Sequence, residues 1–289
     1  MGGLILLAAV GYGWAFRRVH RNGDGAAGPA CCFAAGVIVA AVATLGPVAN
    51  YAPVLFWVRA LQVLLLLYVA PFFLALGRPL SIVGAATGRQ NVLNRIVTSG
   101  PGRLLGSPWS TSVVMMAVPW LLYFTPWYVA SMSGVVAHVT QVALIAVGFG
   151  YFYARLQVDP VPKQYTPLVS IGISVAEGLA DGLLGVVLWL GPVVAPHYYA
   201  GVSRIGGLTR QVDQAIGAGI LWIGGDLFGM VFVMVLMRSL GRHERRRAAE
   251  VDAELDAQAA GETGVGASTL WWENDPQLRE RFRHGDRRA

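Results

Sequence analysis

The sequence predicts an all-α, polytopic integral membrane bundle of about seven transmembrane helices, with its N-terminus outside and its C-terminus in the cytoplasm. Three observations carry this reading. Of the 289 residues, 55% are hydrophobic and only 13% charged, with a mean hydropathy of +0.54; a soluble domain carries roughly 25% charged residues. The apolar residues gather into seven stretches, most of them long enough to cross a hydrocarbon core of roughly 30 Å. Nineteen of the 22 lysines and arginines fall on one side of those stretches, which the positive-inside rule makes cytoplasmic.

The first stretch, Gly2–Phe16, has its positive flank, Arg17 and Arg18, after it rather than before it. That order anchors the segment with its N-terminus outside and does not suit a cleavable signal peptide. Its fifteen residues reach about 22 Å as a helix, so either the span is short or translation starts further upstream. The remaining stretches are Cys31–Val48, Pro53–Leu76, Thr111–Ser131, Val135–Leu156, Leu168–Leu190 and Ala215–Leu240. Each must be helical, because a backbone exposed to lipid has to satisfy its own hydrogen bonds. Arg17, Arg18 and Arg21 follow the first stretch, Arg78, Arg89, Arg95 and Arg103 the third, and the fifth-to-sixth region, from the end of the fifth stretch onward, holds Arg155 and Lys163; ten more arginines lie from Arg238 onward. The opposite connections hold Arg204 and Arg210, and Arg59 lies inside the third stretch. Residues 1–240 thus form a membrane domain and 241–289 a cytoplasmic tail. The tail opens on a basic run, Arg242–Arg247, suited to anionic lipid. An Ala/Glu-rich helical segment and a flexible linker follow, then Trp271 and Trp272, a candidate docking site for a protein or the membrane interface. The placement of the basic residues argues against nucleic acid as a partner. Cys31 and Cys32 are adjacent and read as small apolar residues; they imply no disulfide framework.

Ionisable residues inside spanning helices are costly and mark functional hypotheses. The candidates form an intramembrane polar set: Arg59, His138, Gln141, Glu177, Asp181, Asp213, Gln214 and Asp226. Glu177 and Asp181 share a helix face at i, i+4, and His138 and Gln141 do so at i, i+3. Counted from the outer ends of the stretches, Arg59 lies about 9 Å deep and Asp181 about 15 Å. The set either converges on an outward-opening polar cavity, for a substrate or a metal, or serves as interhelical glue. An Arg59–Asp181 ion pair joining the third and sixth helices is expected, the depths differing by about 6 Å, within the reach of an extended arginine, with Glu177 as the alternative partner. His138 by itself is a weak metal ligand. The pairs Met115/Met116 and Met230/Met234 are either soft donors or packing filler. His197-Tyr198-Tyr199 reads as an interfacial aromatic cluster. The chain has no P-loop, H-E-x-x-H or G-x-S-x-G, and no nucleophile beside a base at a familiar spacing, so the expected role is not enzymatic.

Three stretches carry a family resemblance. Ala70-Pro71-Phe72-Phe73-Leu74-Ala75-Leu76-Gly77-Arg78-Pro79-Leu80 resembles the "APPLLALGxPL" segment of the polytopic CtaG-type cytochrome c oxidase assembly proteins. Val158-Asp159-Pro160-Val161-Pro162 resembles their "GVDPxP" loop. Asp213-Gln214, Gly217, Gly219, Trp222 and Gly225 resemble the "DQxxGGxxxW" signature of the last helix, and Tyr123-Phe124-Thr125-Pro126 fits the fourth. The matches run in family order across roughly Pro53–Leu240. The resemblance implies a seven-helix protein of the bacterial inner membrane that helps mature heme–copper terminal oxidases, with copper as a candidate cofactor. It also implies membrane histidines as copper ligands, and there this chain departs. The family's H-x-x-x-H pair falls on Arg59 and Val63, its fifth-helix histidines on Gln141 and Ala143, and one in the sixth on Asp181; only His138, nearby, is an imidazole. Neither an arginine cation nor a valine can ligate a metal.

The expected function is therefore a membrane assembly factor for cytochrome c oxidase with a degraded copper site. It would bind the lipid bilayer and a terminal oxidase subunit, acting as scaffold or partner in the respiratory chain. The alternatives are a copper-handling permease, or a small-solute or proton-coupled transporter built on Glu177, Asp181 and Asp226.

Overall fold

A chain in lipid has to hydrogen-bond its backbone internally, and the described residues do so through helices alone, with no strand among them. The computed structural model describes residues 1–21, 27–88, 107–156, 167–202 and 207–262. Seven helices dominate: α1 (Gly2–His20), α2 (Ala27–Leu45), α3 (Phe56–Leu76), α4 (Pro108–Phe124), α5 (Gly134–Leu156), α6 (Pro167–Leu190) and α7 (Arg210–Glu262). Short helices occupy the connections: Pro47–Tyr51, Pro79–Thr87, Trp127–Ala130 and Pro196–Ala200. Among the described residues five segments are long and apolar enough to cross a membrane, within α2, α3, α5, α6 and α7, and Trp109–Phe124 is a shorter apolar helix. Their outward faces carry the signature of lipid contact: Leu7, Val135, Leu179, Leu190 and Ile223 are each more than two-thirds exposed.

The chain divides into two compact units, Met1–Leu236 and Met237–Ala289. In the first, α3 is the central helix; Ala60, Val63, Leu66, Leu67 and Ala70 are fully buried. Small residues let its neighbours approach closely, as membrane interfaces require. A Cβ on Gly36 of α2 would stand 2.8 Å from the Leu74 backbone nitrogen, so only glycine fits that crossing. Near the same end, Tyr12 of α1 stacks on Phe33 at 3.7 Å and donates to the Gly77 carbonyl at 2.8 Å. The middle of α3 is a π-helical turn, Leu65–Val69, immediately before Pro71. Proline has no N–H to give residue i−4, and its ring crowds that carbonyl; the wider turn, with i→i+5 bonding, absorbs the mismatch without breaking the span. In the second unit the described helix continues to Glu262, with Glu250, Asp252, Glu254 and Asp256 exposed.

The observed ends differ from the expected ones for local reasons. The second span breaks after Leu45, where α2 ends, and Pro47 restarts it as a short helix that carries it to Tyr51. The third begins at Phe56, not Pro53, because residues 52–54 form a turn. The fourth stops at Phe124: Thr125 precedes Pro126 and is extended (φ −122°, ψ 166°), as a pre-proline residue prefers. The seventh runs unbroken from Arg210 to Glu262, through the basic run and into an Ala/Glu/Arg-rich segment of high helix propensity.

Candidate functional site

The intramembrane polar residues occupy three separate levels instead of one cavity. At the outer level Asp213, 2% exposed, accepts the Phe56 and Trp57 backbone N–H groups at 3.0 Å each. It thereby satisfies two of the orphan donors at the start of α3 and sets a negative charge against the helix dipole. Arg210, one turn earlier, approaches Asp213 at 4.0 Å and donates to the Val54, Tyr199 and Val202 carbonyls. Gln214 accepts the Val194 N–H at 2.7 Å and donates to Leu188 and Pro192. The Asp-Gln pair thus ties the start of α7 to the start of α3 and the end of α6. Gly217 extends the lock, since a Cβ there would meet the Phe56 ring at 2.5 Å. Trp222 lies against α6, where a Cβ on Gly185 would meet its own Cβ at 2.6 Å.

The second level is Arg59, 2% exposed. It donates to Gln62 Oε1 and to Ser131 Oγ, each at 2.6 Å. The expected Arg59–Asp181 ion pair does not form. α3 starts at Phe56, so Arg59 lies about 4.5 Å from its end, whereas Asp181 lies about 13.5 Å from Leu190. The 9 Å gap replaces the estimated 6 Å, and Gln62 and Ser131 take the guanidinium. His138 and Gln141 also part company: Gln141 is buried, while His138 is exposed and its Nδ1 contacts the Gly134 carbonyl of its own helix.

The inner level is a cavity of about 600 Å³ beside α6 and α7. Glu177 and Asp181 line it from α6 and Asp226 from α7, with Tyr68, Tyr151 and the aromatic residues Phe152, Phe228 and Phe232. Glu177 receives the Tyr151 hydroxyl at 2.6 Å and the Arg155 guanidinium at 2.7 Å. Asp181 accepts the Tyr68 hydroxyl at 2.8 Å. Asp226 lies beside Gly178, and among the described residues it has neither an ion pair nor a hydrogen bond. Three carboxylates therefore face a mostly apolar space, one of them backed by the buried Arg155 guanidinium, with the exposed Met230 and Met234 on the lining. Such a space suits a side chain that brings hydrogen-bond donors into the membrane. Among the described residues no group of three or more His, Cys, Asp or Glu is placed to hold a metal ion.

Arg155, Tyr68 and Tyr151 were not foreseen as site residues. Arg155 counts as a loop charge in the sequence, yet it is buried in the last turn of α5. The signal available is the charge imbalance: against Glu177, Asp181 and Asp226 only Arg59 lies well inside a stretch, while Arg155 stands one residue before the end of the fifth, one turn after Tyr151. Pro71 and Gly77 sit in α3 and just beyond it, and Pro126 in the break after α4. Asp159 and Pro160, and the tail residues Trp271 and Trp272, lie outside the described residues.

The family described as "Cytochrome c oxidase caa3 assembly factor" matches residues 10–243. An uncharacterised protein of Mycobacterium leprae is 22% identical over 272 residues, which cover 90% of this chain and 41% of the relative. Uncharacterised proteins of Mycobacterium bovis and Mycobacterium tuberculosis are each 23% identical over 272 residues, with the same coverage. The chain thus spans 41% of the length of these relatives. No solved structure matches it.

Proposed function

This chain belongs to the cytochrome c oxidase caa3 assembly factor family, and from that premise we propose that it acts in a bacterial plasma membrane as a scaffold for maturation of a heme–copper terminal oxidase. The observation that carries the reading is the reach of the family match: residues 10–243 include the second half of α1, all of α2 to α6, Arg210–Val235 of α7 and every part of the Asp213/Gln214 lock. The lock is a structural device that rigidifies α3, α6 and α7 against one another. A rigid frame bearing an acidic, laterally placed cavity is suited to seating a helix of an oxidase subunit, not to turning over a substrate. The tail tryptophans Trp271 and Trp272 supply a second point of attachment on the cytoplasmic side, the side assigned by the arginine bias.

Deletion of the gene should lower the a-type heme absorbance of the membranes and their oxidase activity, and added copper should not restore either. Restoration by copper alone would assign the protein to copper supply. Copper itself is proposed not to be held here, because Arg59, Val63 and Ala143 stand where the family carries histidines. The purified protein should accordingly lose Cu(I) completely to a strong chelator. One retained equivalent that disappears in His138→Ala would overturn this part of the reading.

A further inference from the structure

Arg59 carries a positive charge that no described residue balances. An arginine cannot shed its proton inside a protein, and this one is 2% exposed. Both of its hydrogen-bond partners are neutral, and both are committed elsewhere: Gln62 donates onward to the Ala43 carbonyl at 2.7 Å, and Ser131 to the Tyr128 carbonyl at 2.8 Å. No carboxylate stands within ion-pair distance of it among the described residues. Nor does the sequence offer one. The outer connections, 46–55, 125–134 and 191–209, contain no Asp or Glu. The acid nearest that side, Asp213, is engaged with the start of α3 and with Arg210. In sequence, Asp24 falls between the first and second helices and Asp159 between the fifth and sixth, connections that the arginine bias assigns to the cytoplasmic side.

Two buried donors at this level also have no partner: Arg59 Nε and the Tyr123 hydroxyl. Tyr123 packs its ring 5.5 Å from Phe56, one turn before Arg59 on α3. The Tyr128 and Tyr199 hydroxyls, 2.7 Å apart, lie on the same side of the bundle. Burial pushes the Tyr199 phenol up to about 12, and the Arg59 charge is among the influences opposing that rise. Buried polar atoms without partners in a native fold call for an ion or a water, and a lone buried cation calls for an anion.

We propose that the second level of the bundle, around Arg59, is a binding site for a small monovalent inorganic anion of chloride size, held by Arg59 Nε–H and the Tyr123 hydroxyl. The ligand class follows from the donors: all are N–H or O–H groups, the net charge to be balanced is one, and a weakly hydrated anion loses least on leaving water. The site lies apart from the acidic cavity, and the assembly role does not depend on it.

The test uses the full-length protein in detergent, with melting followed by intrinsic fluorescence at constant ionic strength. Titrating sodium chloride against sodium gluconate should raise the melting temperature saturably, by on the order of 5 °C, with bromide acting like chloride. Arg59→Gln should abolish the dependence. Should that variant fail to fold, Tyr123→Phe decides: in gluconate it should melt at or above the unmodified protein, because a partnerless buried hydroxyl has been removed. In chloride it should need several-fold more salt for half the effect. A melting temperature indifferent to which anion is present overturns the site, and so does a chloride titration that Tyr123→Phe leaves unchanged.

Discussion

Arg155→Met should destabilise the membrane domain by about 3–5 kcal/mol, the range for removing one partner of a buried ion pair. The Arg155 side chain is wholly buried and that of Glu177 is 12% exposed. Their contact is charge-assisted and short, and Arg155 also donates to the Tyr151 hydroxyl and to Ser174 Oγ at 2.9 Å. Its guanidinium lies over the Tyr151 and Phe232 rings at 5.1 and 5.3 Å, so α5, α6 and α7 converge on one cation. Removing it leaves Glu177 charged beside Asp181 and Asp226 with no cation to offset them. Lysine would not substitute, because an ammonium cannot fork to two acceptors and stack at once. Glu177→Leu alone strands the guanidinium instead. The double change, Arg155→Met with Glu177→Leu, should cost less than Arg155→Met alone, since neither charge then remains unpaired. Chemical or thermal unfolding in detergent measures all three. Strictly additive costs would mean that the two groups are screened from each other by water, and that the inner cavity is wet to its floor.

The same ion pair shows where sequence reading stops. The seven helices are legible because lipid leaves the backbone no alternative to helix, and apolar runs mark them. Their ends are not, and the polar pairing depends on the ends. Depth counted from Pro53 brings Arg59 within reach of Asp181; the helix begins three residues later, at Phe56, because Asp213 caps it there. That cap comes from a residue 157 positions away in sequence, so no local pattern announces it. Arg155 was lost for the complementary reason: an arginine at the end of an apolar run reads equally as last helical turn or first loop residue. Asp213, Gln214, Gly217 and Trp222 were legible as a motif, but the motif does not say that it is a lock. The lock emerges only when the starts of α3 and α7 and the end of α6 are seen to meet. His138 and Gln141 illustrate the limit of helical periodicity: residues at i, i+3 are about 60° apart, and here the edge of the buried face falls between them.

Gly148→Ala should be at least as damaging as most losses in the core, about 3 kcal/mol or more, beyond the typical range for overpacking. Gly148 faces the π-helical turn of α3, and a Cβ there would collide with the Leu67 carbonyl oxygen and stand 2.8 Å from Pro71 Cγ. Neither obstacle can swing aside. The Leu67 oxygen is backbone, and the proline ring is fixed to the chain at both ends. The collision therefore has to be relieved by moving α5 off α3, which also opens the packing of Leu144 and Phe152, both at most 1% exposed. Two residues further along the same helix, a Cβ on Gly150 would meet nothing within 4 Å. Gly150→Ala should therefore be neutral or stabilising by up to about 1 kcal/mol, the helix-propensity difference between the two residues. The pair of variants separates a steric crossing from a general need for flexibility in α5. If both alanines destabilise alike, the glycines serve helix bending; if neither does, α3 and α5 do not cross at Gly148, and the π-turn before Pro71 is not a packing device.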